Sequence, residues 1–466
     1  MNAFLRYLSY ILWLSAIFLL IPLFAAAYYD EPISGFLASM TITLALGIAL
    51  FVLSGIGKYQ PLTIARAILL TAVSFIVVPL ISSITFLPYT SWINAFFESV
   101  SGFTTTGLSI FPSIQNLPKS LILWRATSQW LGGFGIIIVF LFIFSRVRVQ
   151  NYSETKVSIA NSLFTTQGLG DKMEPTFRQS TLHLVIIYAS YTFIGIILLS
   201  LAGLSTFEST VISFGSISTG GFAATDTFYT DSLQLSIISL LMILGSVSFA
   251  MHNKLIQRKF QEFFRNTETR WFFVILLSLI LLSLLTYRDF GVVVFHLTSA
   301  LATAGYATTP IGELPLHFIL LIIIAMVIGG SMASTAGGLK IRRLLVLLSS
   351  IGWAVKKISL PSTAIVSFRM NKKNLNADYV FITQVFFFTY VLLLFVGIMV
   401  FLMLGYSLLD SSFQVTSALG TVGLSTMPLD AVPAIGKFAL IVLMFLGRLE
   451  IFPVFLLVAR LFNKDM

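Results

Sequence analysis

Along this chain apolar residues come in long unbroken runs. They lack the strict alternation of a half-buried strand and the one-sided stripe of a surface helix. Runs of about twenty residues occupy roughly 4–27, 36–56, 64–86, 121–145, 181–203, 234–255, 271–287, 317–348, 379–405 and 435–462. Each is long enough to cross ~30 Å of hydrocarbon as a helix. The pattern predicts an all-α polytopic membrane protein with about ten transmembrane helices. The first run ends in small residues, as a cleavable signal does, but it exceeds the ~7–15 apolar residues of a signal core. It is therefore read as the first span.

Between certain spans lie four shorter stretches in which small and hydroxyl residues are mixed with apolar ones. They read FESVSGFTTTGLS ending at Ser109, TVISFGSISTGGF ending at Phe222, FHLTSALATAGYA ending at Ala307 and FQVTSALGTVGLS ending at Ser425. Aligned on Gly107, Gly220, Gly305 and Gly423, each has a hydroxyl two residues earlier: Thr105, Ser218, Thr303 and Thr421. Five residues before the glycine stand Gly102, Gly215, Ala300 and Ala418. Ten before it stand Phe97, Phe295 and Phe413, with Thr210 in the second copy. The intervening position is Thr106 and Thr219 in the first two copies, Ala304 and Val422 in the others. Internal repetition of this kind defines an architecture before any single motif does.

At about ten to fourteen residues, each stretch is too short to span and fits a re-entrant half-helix followed by an extended segment. Non-helical backbone at such depth must be buried in protein or line an aqueous cavity, so four copies around one axis would line a pore. A dehydrated cation needs several oxygen ligands, which backbone carbonyls supply. Glycine permits the positive φ that turns successive carbonyls one way, and four helix C-termini would add negative dipole ends.

Charge sharpens the picture. Charged residues are 10% of the chain and the net charge is +10, whereas a soluble domain carries roughly a quarter charged residues. The basic residues gather in the loops near 146–180, 252–270 and 340–373. That bias puts these loops and both termini in the cytoplasm; it accounts for the charge without nucleic acid. Lys340, Arg342, Arg343, Lys356, Lys357, Arg369, Lys372 and Lys373 form the densest group, a docking surface for a cytosolic partner. The opposite side, or segments dipping from it, carries Asp30, Glu31, Glu98, Glu208, Asp226, Asp231, Asp289, Glu313, Asp410 and Asp430, an acidic mouth that would concentrate cations. There is no cysteine, and the four histidines lack companions at metal-ligand spacing. No nucleophile–base arrangement marks an enzyme.

Two features lie inside the spans. GGSMASTAGG, from Gly329 to Gly338, interrupts the eighth run with Gly330, Ser334, Thr335 and Gly337 among its residues. It predicts a broken helix whose irregular loop faces the pore; close helix packing through small residues is the alternative. Arg448 stands within the last run. An intramembrane arginine either ties its helix to neighbouring carbonyls or projects into a water-filled path.

With these stretches the chain resembles the Trk/Ktr/HKT superfamily of potassium transporters, most closely its bacterial TrkH/TrkG branch. LPKSLILWRATSQWLGGFGIIIV, MILGSVSFAMHNKL, GGSMASTAGGLKIRR and FLGRLEIFPVFLLV extend the likeness over nearly the whole chain. The resemblance implies four span–pore-loop–span repeats around one pore: a two-span extension at 1–57, then repeats at 58–150, 151–265, 266–373 (with the broken inner helix) and 374–466. It also implies a bacterial inner-membrane location and K⁺ passing through the filter stretches, with no organic cofactor in this chain. The Gly-rich loop and Arg448 would act as the gate. Two further implications are a homodimer and a cytosolic TrkA-type subunit that binds the regulatory nucleotide. A K⁺ symporter coupled to H⁺ or Na⁺, or a less selective K⁺/Na⁺ channel, remains the alternative. A symporter would call for a buried mid-span carboxylate, and Glu450 is the one candidate.

Overall fold

A computed structural model describes residues 2–55, 62, 64–146, 177–361, 367–370 and 373–451. The basic loop at 147–176, Lys372 and the end of the last span beyond Ile451 lie outside the described residues.

The long apolar runs fold as helices because hydrocarbon offers no partner to backbone N–H and C=O groups, which must then pair within the segment. Helices α1 (Asn2–Phe18) and α2 (Leu20–Tyr28) form one span, followed by α3 (Ser34–Ser54) and by α4 (Ile64–Ser82) with its short 3₁₀ continuation. Next come α5 (Trp92–Phe103), α6 (Lys119–Arg146), α7 (Phe177–Leu201), α8 (Thr206–Ile217), α9 (Ser232–Ser246) and α10 (Phe249–Ile256). After α11 (Phe260–Arg265) the chain runs through α12 (Thr267–Leu284), α13 (Phe290–Leu301), α14 (Leu316–Ile328) and α15 (Ile341–Ile358). It closes with α16 (Ala377–Met403), α17 (Leu408–Leu419) and α18 (Ala434–Arg448). Among the described residues one two-stranded ribbon, Arg369–Met370 against Lys373–Asn374, is the small departure from all-α.

Among the described residues six helical segments are long and apolar enough to cross a membrane, or seven if the bent pair α9–α10 is one span. Their outward faces are apolar: α16 exposes Phe381, Phe388 and Phe395, and α7 exposes Phe193, Ile197 and Leu201. Such surfaces suit hydrocarbon as solvent. The protein is thus a polytopic all-α membrane protein.

Two spans, the sixth and the last, differ from the sequence expectation. The sixth is not continuous over 234–255, because α9 and α10 meet at 110°. At the break, Gly245 O and Ser246 O accept N–H groups of Thr335 and Ser331 at 3.1 and 2.9 Å. The eighth run divides into α14 and α15, with residues 329–340 irregular between them. In the last run α18 ends at Arg448, and Glu450 and Ile451 have φ of 57° and 62°. Arg448 therefore sits at a helix end rather than in mid-helix.

Helices α5, α8, α13 and α17 are the four repeated stretches. Each has 12 residues, about 18 Å of helix at 1.5 Å per residue, well short of the bilayer core. Their N-termini are fixed by polar caps in three cases: the Ser205–Glu208 capping box, Asp289 and Ser407.

Candidate functional site

The four short helices end alike. Their C-caps are Thr104, Ser218, Ala302 and Gly420. The next residues, Thr105, Thr219, Thr303 and Thr421, have φ of 52°, 53°, 52° and 49°. In each copy the following N–H reaches back to a helix carbonyl: Thr106 to Ser101, Gly220 to Gly215, Ala304 to Ser299 and Val422 to Ser417, at 2.8–2.9 Å. This is a Schellman ending with threonine in the left-handed position that glycine normally takes. A β-branched residue there is strained, and the strain recurs four times.

Two residues after each threonine comes a glycine with positive φ: Gly107 at 86°, Gly221 at 78°, Gly305 at 78° and Gly423 at 95°. The second copy is thereby displaced by one residue from the sequence alignment. Its equivalents are Thr219, Gly220 and Gly221, not Ser218, Thr219 and Gly220. Ser218 caps the helix, as Thr104 does. The shifted register places Thr two before the glycine in all four copies and apolar Val211 opposite Phe97, Phe295 and Phe413. All four of these side chains are buried.

The glycines close on one another in a ring. A side chain at Gly107 would strike Gly220 O, one at Gly221 would strike Ala304 O, one at Gly305 Val422 O, and one at Gly423 Thr106 O. Each repeat thus abuts the next and the fourth returns to the first. Any larger residue would push against a neighbour's backbone. The threonine hydroxyls are buried; those of Thr105 and Thr421 have no hydrogen-bond partner among the described residues.

The segment after the first glycine is braced from behind. Arg125 Nε donates to Glu98 Oε1 at 2.7 Å and Arg125 Nη2 to Ser109 Oγ at 2.9 Å, while Ile110 N donates to Glu98 Oε2 at 3.1 Å. Glu98 is fully buried. Counting it with the acidic mouth is therefore corrected: its charge is spent on Arg125. Asp226 performs a similar bracing task on the outer loops, accepting from Ser113 Oγ, Ile114 N and Gln115 N. Burial raises its pKa, but those hydrogen bonds and nearby Arg125 outweigh it and hold the carboxyl below its ordinary value.

Residues 329–340 form a loop whose ends meet. Leu339 N and Lys340 N donate to Val327 O and Ile328 O at 2.9 and 2.8 Å. The second half of the loop lies against the ring-forming segments. Gly337 N donates to Thr303 Oγ1 at 2.8 Å. Thr335 Oγ1 donates to Gly245 O at 2.8 Å and lies 3.1 Å from Ile217 O, at the end of α8. A side chain at Gly337 would collide with Gly420 and Thr421. Gly329 and Gly338 lie face to face where the loop begins and ends, and Ser334 Oγ bonds Ser331 O within it.

Arg448 ties this loop down. Its Nη1 donates to Thr335 O at 2.6 Å and its Nη2 to Gly132 O of α6 at 2.8 Å. Of the two sequence alternatives, the geometry gives the tether to carbonyls, and the tethered carbonyl belongs to the loop. Glu450, two residues on, pairs with Lys340 at 3.2 Å and with Arg343. Glu268 accepts from Met332 N at 2.8 Å and faces Arg342 at 3.7 Å. Arg343 is 1% exposed, so it brings nothing to a docking surface, contrary to the sequence expectation; Lys356 and Lys357 are exposed.

Sequence reasoning missed Gln129, Glu268 and the partners of Glu98 and Glu450. The polar cluster Arg125, Thr127, Ser128 and Gln129 within the span of α6 was the available signal for Gln129.

Residues 33–466 match the TrkH family, described as cation transport protein. An uncharacterised cation transporter of Methanocaldococcus jannaschii is 31% identical over 99% of this chain and 96% of its own length. The Trk system potassium uptake protein TrkH of Escherichia coli is 27% identical over 80% of each chain. The crystal structure of the potassium transporter TrkH from Vibrio parahaemolyticus superposes with a TM-score of 0.85, at 26% identity and 99% coverage of both chains.

Proposed function

The chain belongs to the TrkH family of cation transport proteins, and from that premise we propose that it carries K⁺ through the glycine ring into the cytoplasm. The observation that bears the most weight is the closed ring of Gly107, Gly221, Gly305 and Gly423, with strained threonines just before them. In this reading α5, α8, α13 and α17 are re-entrant half-helices set among ten spans. Their C-terminal dipoles favour a cation at the ring. Carbonyls of the Thr-x-Gly segments, Thr105–Gly107, Thr219–Gly221, Thr303–Gly305 and Thr421–Gly423, replace its water. The unpartnered hydroxyls of Thr105 and Thr421 are further oxygen donors beside the path.

The loop from Gly329 to Lys340 is the gate, held against the ring by Arg448 and anchored at its ends by Glu268 and Glu450. Glu98 and Glu450 are both buried and both paired with basic partners. A carboxylate neutralised in this way is a poor proton carrier, so passive flow is favoured over H⁺-coupled symport. Two copies would pair in the bilayer, and a cytosolic nucleotide-binding subunit would meet the exposed basic surface at Lys356 and Lys357.

Flux into proteoliposomes of the purified chain tests the reading. K⁺ uptake should exceed Na⁺ uptake, and equal rates would overturn the filter. Deleting Gly330 to Gly337 should raise K⁺ flux, because Gly329 and Gly338 already touch and can be joined. A folded deletion variant with unchanged flux would remove the gate from this loop.

A further inference from the structure

We propose that Gln129 is a selectivity-determining positioning residue; this rests on reading the glycine ring as the filter. Between the strained threonine and the ring glycine, three repeats carry a side chain: Thr106, Ala304 and Val422. The second carries Gly220. The vacant space is filled from another element. Gln129 of α6 is fully buried, and a Cβ built on Gly220 would land in its carboxamide.

The carboxamide bridges two peptides of the filter segment. Gln129 Nε2 donates to Gly220 O at 2.6 Å, and Phe222 N donates to Gln129 Oε1 at 3.2 Å. One amide orientation satisfies both contacts, since the donor must face the carbonyl and the acceptor the N–H. Gln129 thus grips the chain on either side of Gly221.

Two consequences follow. Gly221 is the one ring glycine preceded by another glycine, and a Gly–Gly pair has more accessible backbone conformations than any other dipeptide. The clamp removes that freedom where the ring needs a fixed geometry. In addition, a strong donor engages the Gly220 carbonyl, the same carbonyl that abuts Gly107 across the junction between repeats one and two. Its field on a passing ion therefore differs from those of Thr106, Ala304 and Val422. Selectivity depends on the number and field strength of such dipoles, so Gln129 acts on it without touching the ion.

The test compares Na⁺ with K⁺ permeability, from reversal potentials or paired tracer fluxes, in reconstituted full-length protein. Gln129→Met keeps the length and bulk of the side chain and removes both hydrogen bonds. The expected result is a rise in the Na⁺/K⁺ permeability ratio of about tenfold, with K⁺ still conducted. A folded Gln129→Met protein with the parent's ratio overturns the proposal, even if its flux falls, because a merely structural residue would change rate and not discrimination. Should Gln129→Met fail to fold, Gln129→Leu removes the same two hydrogen bonds with a different apolar side chain and decides by the same ratio. If the parent itself fails to prefer K⁺, the filter reading falls first, and this inference falls with it for that separate reason.

Discussion

Replacing Arg448 separates two ways in which a buried arginine closes a pore. Its guanidinium makes two hydrogen bonds to carbonyls, at 2.6 Å to Thr335 in the loop and 2.8 Å to Gly132 in α6. A hydrogen bond from a charged donor contributes about 1.5–3 kcal/mol, so the fork could hold the loop by several kcal/mol. Desolvating the guanidinium offsets part of this. A net bias of roughly 1–3 kcal/mol is reasonable, which corresponds to about 5–150-fold in the ratio of closed to open. Arg448→Ala should therefore raise K⁺ flux within that range, measured as rubidium-tracer uptake into proteoliposomes at matched protein density. Arg448→Lys is the discriminating variant: it keeps the charge and loses the planar fork that engages two carbonyls at fixed spacing. If the fork is the latch, Lys should conduct nearly as fast as Ala. If Lys remains as slow as the parent while Ala is fast, the charge is the barrier and the tether argument is wrong. If neither folded variant accelerates, Arg448 does not hold the loop shut.

Gly107→Ser and Gly221→Ser should each raise Na⁺ permeation by about tenfold, since a side chain at either position strikes a neighbouring carbonyl and misaims it; an unchanged Na⁺/K⁺ ratio in Gly221→Ser would contradict the shifted register. Lys356→Glu with Lys357→Glu should abolish co-purification with a cytosolic regulatory subunit while leaving thermal stability intact, and retained binding would move the docking surface elsewhere. Arg343→Glu, by contrast, should lower membrane yield sharply, because it faces Glu450 in a buried site, where losing one partner costs about 3–5 kcal/mol; normal yield would refute the pairing. Asp226 has a lowered pKa when folded, so its bracing of the outer loops is complete above the ordinary value near ~3.9 and lost as pH falls through the folded value. Amide exchange at Ile114 and Gln115 should accelerate below that pH in the parent and already be fast at neutral pH in Asp226→Asn; equal protection in both would count against it.

Much of this molecule was fixed by composition and period. A helix in hydrocarbon must satisfy its own backbone, so runs of twenty apolar residues announce spans without knowledge of their neighbours. The four stretches with a hydroxyl two residues before a glycine were visible for the same local reason, since a helix that stops in a left-handed turn and then bends sharply needs glycine close by. What the sequence alone left open lies where two local solutions are equally good. At Gly220–Gly221 either glycine accepts a positive φ, and ring closure against Ala304 selects Gly221. The run from 234 to 255 is a sound helix by itself; it breaks after Ser246 where residues of a loop nearly ninety positions later hydrogen-bond Gly245 and Ser246. The partners of Arg448, Gly132 and Thr335, stand 316 and 113 residues away, and Arg343 stands 107 from Glu450. Burying a charge demands a partner, and the sequence states the demand; only the packing of distant segments decides which group meets it.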